Sequence, residues 1–203
     1  MKLKKAAMFG LDARIALAIF GALSVISGAA LYSAIKQAKT EQLRQYFVEH
    51  FKAIEQYYLD NGKPMPQYTA NVIYTPDLVQ NRENLSTWNG PYIDFNIRST
   101  SVIIDNTSIS IDPQGVFQML LALDSTWPST TAHNNCTVGA VDCSMYMALY
   151  GGSAAGEAKL LELFKDLDAL VDGSDGQADG TVRFTSVNYG YLMYKGYAQK
   201  RVI

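Results

Sequence analysis

A charge-free apolar run near the start of the chain constrains the fold more than any other feature. It extends from Ile15 to Leu31, and at about 17 residues it lies at the short end of what spans a bilayer core as a helix. Lys2, Lys4 and Lys5 precede it. Because basic residues collect on the cytoplasmic side, this order predicts a cytoplasmic N-terminus and an exported remainder.

The helical pattern continues beyond this run. Proline is absent from Met1 to Lys63, and the pattern holds from Asp12 to Leu59, roughly 70 Å of helix at 1.5 Å per residue. The second half is amphipathic, with apolar side chains at spacings of three and four: Leu43, Phe47, His50 or Phe51, Ile54 and Tyr58. We expect this half to bury one face against a folded domain and Asn61-Gly62 to end the helix.

Three interpretations of this N-terminus compete. A secretory signal would be cut after small residues, and Ser27-Gly28-Ala29-Ala30 offers such a place. A plain single-span anchor also fits the apolar run. The third interpretation uses the order of the parts, which is a short basic leader, then Gly10, then polar residues, and then the apolar run.

That order resembles prepilins, the precursors of type IV pilins and type II secretion pseudopilins. The family's leader is cut after a glycine, so the resemblance implies cleavage between Gly10 and Leu11 by a prepilin peptidase. It also implies a bacterial inner-membrane protein with a periplasmic domain, which assembles with homologous subunits into a periplasmic or extracellular filament. The alternative function is an uncleaved, single-span binding module with an exported domain. An anchored exoenzyme is a third possibility.

One position departs from the family pattern. Prepilins usually carry glutamate at the fifth mature position, where this chain has Ile15, while Asp12 and Arg14 occupy the second and fourth. In the family the glutamate is thought to meet the free amine of a neighbouring subunit, and a lone carboxylate in hydrocarbon needs a partner. We therefore expect Asp12 and Arg14 to act in assembly, and a minor or divergent subunit.

The chain divides into four predicted parts. These are a leader at 1–10, a transmembrane and filament-core helix at 11–35, the amphipathic half of that helix at 36–62, and a globular pilin-like domain at 63–203. The segment Thr87–Ile93 contains an aromatic-x-Gly-Pro-Tyr sequence. This is similar to the segment that lies between the long helix and the first strand in pilins and pseudopilins.

The pattern after the long helix predicts an α+β domain with an antiparallel sheet. Gln67 to Thr87 is interpreted as irregular. Period-two alternation predicts strands at Tyr92–Arg98, Ser101–Asp105 and Ser108–Asp112, with a turn at Asn106-Thr107. Later elements are a strand at Val116–Leu123, a strand or short helix at Met145–Tyr150, a helix at Ala154–Val171 with Leu160, Leu161, Phe164, Leu167 and Leu170 on one face, and strands at Val182–Thr185 and Tyr189–Tyr197.

Cys136 and Cys143 are the two cysteines of the chain. A zinc site needs more ligands than this pair, and no histidine pair lies nearby. Because an exported domain permits disulfides, we expect a structural Cys136–Cys143 bridge, with two free thiols as the alternative.

An acidic, glycine-rich segment follows the predicted helix at 154–171. From Asp175 it has oxygen ligands at alternate positions, then glycine and an apolar residue, like the first part of a calcium loop. The twelfth position would be Ser186, so it is not a full EF-hand, and Asp168 or Asp172 would supply a further oxygen. Some pseudopilins hold calcium in a C-terminal loop. The predicted calcium ligands are Asp172, Asp175, Gln177, Asp179 and Thr181, and the alternative is a solvated Asp-Gly turn.

The composition favours assembly over catalysis. Seventeen basic and 19 acidic residues leave a formal net charge of −2, which gives no reason to expect a nucleic-acid partner. There are only two histidines, and we find no phosphate-binding glycine loop, nucleophile elbow or Ser-His-Asp set. We therefore expect a structural protein and not an enzyme.

Overall fold

The fold is taken from a computed structural model, which describes residues 4–69, 71–98, 104–105, 116–124, 136 and 143–198. The chain forms two compact units, Met1–Glu41 and Gln42–Ile203. The expected class is confirmed, because a long N-terminal helix precedes an antiparallel sheet with one further helix.

Helix α1 extends over Lys4–Asn61, so it begins before the predicted start at Asp12. It ends where the sequence indicates. Gly62 has a φ of 63° and its N–H donates to the carbonyl of Tyr58 at 2.8 Å. A glycine in this conformation closes a helix without the steric cost that a side chain would bring.

From Gln42 onward α1 belongs to the second unit and supplies one wall of its core. The buried side chains on this face are Leu43, Phe47, His50, Phe51, Ile54 and Tyr57. The prediction of Tyr58 on this face was wrong, because Tyr58 is 44% exposed while Tyr57 is 1% exposed. The ring of Tyr57 packs edge-on against Tyr92. This contact explains why the last helical turn buries Tyr57 and not Tyr58.

Among the residues that the structure describes, eight antiparallel strands form one sheet. Its order is β1-β2-β5-β6-β8-β7, while β3 pairs with β4 and β4 pairs with β5. The strands are β1 Gln67–Thr69, β2 Val72–Ile73, β3 Asn96–Ile97, β4 Ile104–Asp105, β5 Val116–Leu123, β6 Cys143–Tyr150, β7 Val182–Thr185 and β8 Tyr191–Ala198.

The longest predicted strands are confirmed, and the short ones differ. β5 and β7 have the predicted bounds, and β6 is a strand and not a short helix. β3 is shorter than predicted, and β8 begins later because Val187–Tyr189 forms a 3-10 turn. The prediction of irregular structure from Gln67 to Thr87 was wrong, since it contains β1, β2 and a 3-10 turn at Thr75–Leu78. The predicted strand Ser108–Asp112, the turn Asn106-Thr107 and most of Ser101–Asp105 lie outside the described residues.

Helix α2 spans Ala154–Val171, as predicted. The hydroxyl of Ser153 caps its first turn by accepting the N–H of Gly156 at 3.1 Å. Leu160, Phe164 and Leu167 are buried. The prediction of Leu170 on the same face was wrong, because its side chain is 45% exposed and Val171 packs against the core in its place.

The three central strands, β5, β6 and β8, carry apolar side chains on both faces of the sheet. One face joins the buried side of α1 and α2 in a single cluster, with Phe117, Met119, Met147, Leu149 and Leu192 from the sheet. The alternate residues Leu120, Ala122, Tyr146, Ala148 and Met193 form a second cluster. The alternation along each strand assigns the neighbours in sequence to opposite faces.

Candidate functional site

The first candidate site is the apolar beginning of α1. No charged residue occurs from Ile15 to Ile35. The large side chains of this segment are exposed: Ile15, Leu17, Ile19, Phe20, Leu23, Val25, Ile26, Leu31, Tyr32 and Ile35. From Gly10 the helix is long and apolar enough to cross a membrane. An exposed apolar surface of this extent marks a membrane or a protein contact.

The predicted processing and assembly residues all lie on this helix. Gly10 and Leu11 are consecutive residues inside α1, and the side chains of Asp12 and Arg14 are exposed. Residues two apart on a helix point to different sides, so Asp12 and Arg14 are poorly placed to neutralise each other. Each charge therefore needs a different partner when this end of the helix enters an apolar environment.

The second candidate site is the loop after α2. Asp172 caps the helix, and its Oδ2 accepts the N–H groups of Thr181 at 2.9 Å and of Val182 at 2.7 Å. The carboxylate thus ties the end of α2 to the first residue of β7. Gly180 fits beneath it with a φ of 68°, and an added Cβ would lie 2.5 Å from Oδ2 of Asp175 and 2.7 Å from Asp172.

Three carboxylates meet at this loop. One oxygen each from Asp168, Asp172 and Asp175 lies within 4.8 Å of the other two. Asp168 is only 4% exposed. Its Oδ2 accepts the N–H of Gly176 at 3.3 Å, while its buried Oδ1 has no hydrogen-bond partner among the described residues.

The pKa of the Asp168 carboxyl is raised above its usual range. Burial is the largest cause, and the neighbouring carboxyls of Asp175 and Asp172 add to it, while the Gly176 N–H opposes it. These causes act in the expected directions, because burial and like charges both disfavour the ionised form.

The structure brings together only part of the predicted calcium set. Asp172 and Asp175 join the cluster, and Asp168, which the sequence indicated as a further oxygen, joins them. The exposed carboxylate of Asp179 lies outside the group. The carbonyl of Gln177 accepts the N–H of Phe184 at 3.1 Å, and the N–H of Thr181 is held by Asp172. Asp168 and Asp172 lie one helical turn apart at the end of α2, and Asp175 joins them after the turn at Gly173 and Ser174.

A second polar cluster surrounds Asp124 and was not predicted. Its carboxylate accepts hydrogen bonds from Lys195 Nζ at 2.6 Å, Tyr146 OH at 2.5 Å and Ser144 Oγ at 3.0 Å. Burial opposes ionisation of Asp124, but these three donors hold its pKa below the usual range. Because Ser144 and Tyr146 lie on β6 and Lys195 lies on β8, these hydrogen bonds connect the end of β5 to both strands.

The cysteines fit the predicted bridge. Cys136 and Cys143 are paired, with their Cα atoms 5.8 Å apart, within the range of disulfides. Cys143 begins β6, and Cys136 is buried. The pair closes a short loop beside the end of β5.

Comparison with known proteins identifies no relative. No family model, no curated protein and no solved structure matches this chain.

Proposed function

We propose that this chain is a membrane-anchored structural subunit of a filament of the type IV pilus or type II secretion pseudopilus class. The observation that carries the proposal is that the two parts of α1 have different surfaces and different roles. Its first part exposes a charge-free apolar surface, and its part from Gln42 onward builds the core of a folded α+β unit. A membrane anchor that is separate from the folded domain does not need a helix that serves both parts. A filament subunit uses one helix for both tasks.

The proposed mechanism is transfer of the apolar helix from lipid into a bundle of identical or homologous helices. Small residues let helix backbones approach closely, and this segment contains Gly21, Ala22, Ser24, Ser27, Gly28, Ala29 and Ala30. Asp12 and Arg14 would then pair with charges of neighbouring subunits, including a free N-terminal amine. Contacts of this head-to-tail kind do not close on themselves, so they extend into a fibre.

The proposal requires processing before assembly. A prepilin peptidase would remove residues 1–10 and leave Leu11 as the first residue, with its amine free or methylated. Intact mass spectrometry of the protein from the membranes of its own cells tests this directly. A chain that begins at Leu11 supports the filament subunit. A chain that begins at Met1 favours the uncleaved binding module, and one that begins near Ala30 means a secreted protein.

Two variants make the test specific. Replacing Gly10 by leucine should block cleavage and remove the protein from filaments sheared from cells and collected by centrifugation. Lys52→Gln is the matched control, because Lys52 is an exposed residue of α1 that lies outside the apolar segment. It should be processed and assembled normally. Asp12→Asn should be cleaved yet assemble poorly. Normal filaments containing uncleaved Gly10→Leu protein would contradict the proposal.

A further inference from the structure

The exposed beginning of α1 carries two charges that have no partner on their own helix. Asp12 and Arg14 are the only charged residues from Gly10 to Ile35. Neither forms an ion pair in the described part of the chain, and the residues three and four positions from each of them are uncharged. A charge that enters an apolar environment needs a partner of opposite sign. Both charges therefore need a partner from outside this helix.

The positions of the two charges suit a second copy of the same helix. Each residue turns the helix by about 100°, so Asp12 and Arg14 lie roughly 200° apart around the axis and face opposite sides. A parallel copy that lies beside the carboxylate can present its own Arg14 to it. The pair is level when that copy is displaced by two residues, about 3 Å along the axis. Because each copy uses different sides towards its two neighbours, the contact is heterologous and continues from copy to copy.

The same displacement places bulky side chains opposite glycines. Ile19 and Ile26 lie about two and four turns after Asp12 and share its side of the helix. Gly21 and Gly28 lie at the same spacing after the arginine and share its side. Both isoleucines are exposed, and an added Cβ at either glycine meets nothing within 4 Å. A shift of two residues therefore sets each isoleucine against a glycine of the next copy, where helices can approach closely.

We propose that the first part of α1 binds a second copy of this chain, with Asp12 of one copy paired to Arg14 of the next. Between the two glycines, Leu23 of one copy meets Val25 of the other, and both are exposed. This inference rests on the proposed function and names the partner. Because the chain supplies both halves of each contact, identical copies assemble without a different subunit. The partner of Asp12 is then a side chain and not the N-terminal amine.

Disulfide trapping in the membranes of cells that make the full chain tests this register. One copy carries Ile19→Cys, a second copy carries Gly21→Cys and a different tag, and the chain's own cysteines are paired with each other. Mild oxidation should join the two copies several-fold more often than it joins two Ile19→Cys copies or two Gly21→Cys copies. Ala22→Cys in place of Gly21→Cys is the matched control, because it lies a further 100° or about that around the helix. It should be joined only at the background level.

Exchanging the charges tests the pair itself. In cells that make only Asp12→Arg or only Arg14→Asp, like charges meet at every contact, so most of the protein should be lost from sheared filaments. Cells that make both variants together should regain filaments, because opposite charges meet again where the two variants alternate. The double exchange Asp12→Arg, Arg14→Asp should regain them for the same reason. Intact mass shows which variants are cleaved.

The outcomes separate this contact from the filament as a whole. Mixed dimers no more abundant than the Ala22→Cys background overturn the contact, whether or not filaments form. Mixed dimers in cells that form no filaments support the contact and reject the filament. Failure of a cleaved double exchange to restore filaments overturns the Asp12–Arg14 pair in favour of the N-terminal amine. Trapping does not use the charge variants, so it remains decisive if one of them is not cleaved.

Discussion

The imidazole of His50 stacks on the ring of Phe117, with 5.0 Å between the ring centroids. The ring of Phe95 lies roughly perpendicular to the imidazole, with 4.6 Å between the ring centroids. Nδ1 of His50 donates to the carbonyl of Tyr46 at 2.6 Å, while the buried Nε2 has no partner among the described residues. A proton added at Nε2 would therefore bring an unpaired charge into an aromatic core.

This geometry predicts that acid destabilises the folded unit through His50. Burial lowers the pKa of His50 to about 4, against 6.5 for an unfolded histidine. The unfolded chain therefore binds the proton first, and stability falls as the pH drops from about 6.5 towards 4. The loss between pH 7 and pH 5 should be roughly 2 kcal/mol. Thermal unfolding of the full chain in detergent micelles at the two pH values measures this loss of stability.

A phenylalanine substitution isolates this effect. His50→Phe keeps an aromatic ring in the stack and removes the titration. Subtracting its pH profile from that of the wild type cancels other groups, including Asp168, whose raised pKa acts in the opposite direction by favouring the folded state at low pH. Parallel profiles for the two proteins would show that His50 does not lose its proton on folding.

The ion pair of Asp77 and Arg82 should contribute more to the free energy of unfolding than the exposed pair of Lys63 and Glu83 nearby. Arg82 donates through Nε and Nη2 to the two carboxylate oxygens of Asp77, at 3.0 and 3.2 Å. Asp77 is buried, so Arg82→Leu leaves a buried carboxylate unpaired and should cost roughly 2–4 kcal/mol of unfolding free energy at pH 7. The cost should shrink as the pH falls, because burial raises the pKa of Asp77 and protonation removes the unpaired charge.

The matched control is Lys63→Gln. Lys63 pairs with Glu83 at 2.9 Å, but both side chains are substantially exposed, and such pairs contribute at most about 1 kcal/mol. Unfolding of both variants at pH 7 by urea in the same micelles gives the comparison. Equal losses in the two proteins would contradict the importance of burial at Asp77.

Reduction of the Cys136–Cys143 bridge should weaken the fold without abolishing it. Closing a loop with a sequence separation of seven is worth about 2 kcal/mol in the chain-entropy description. We expect no thiol labelling of the folded protein until a reductant is added, and a matching loss of stability in the Cys136→Ser, Cys143→Ser double variant. Prompt labelling of both thiols in protein prepared without reductant would exclude the bridge.

The sequence predicts the parts of this fold whose pattern is strong over many residues. β5 is almost wholly apolar, α2 has a serine cap and a regular stripe, and α1 lacks proline until after Gly62. These signals are local, so they need no knowledge of the partner. The strands β1 and β2 gave no such signal, because they are three and two residues long and become strands by pairing with each other and with β5.

The carboxylate cluster of Asp168, Asp172 and Asp175 was predictable in part for a similar reason. The calcium-loop pattern predicted oxygen ligands at alternate residues from Asp175 to Asp179. The glycine and serine residues after Asp172 adopt positive φ values and turn the chain back over the helix end. As a result Asp175 meets Asp168 and Asp172, which lie one helical turn apart. That i, i+4 spacing was visible in the sequence and is the better guide to the site.

The sheet order limits when the domain can be completed. In the described part of the sheet β7 pairs only with β8, and β8 lies between β7 and β6. When the chain emerges from a ribosome or a translocation channel, β7 therefore appears before β8, the strand that joins it to the sheet. Until β8 arrives, β7 has no strand to pair with, and its contacts are those with α2, where Phe184 packs against Phe164. The sheet is therefore completed only when the last strand, β8, pairs with both β6 and β7.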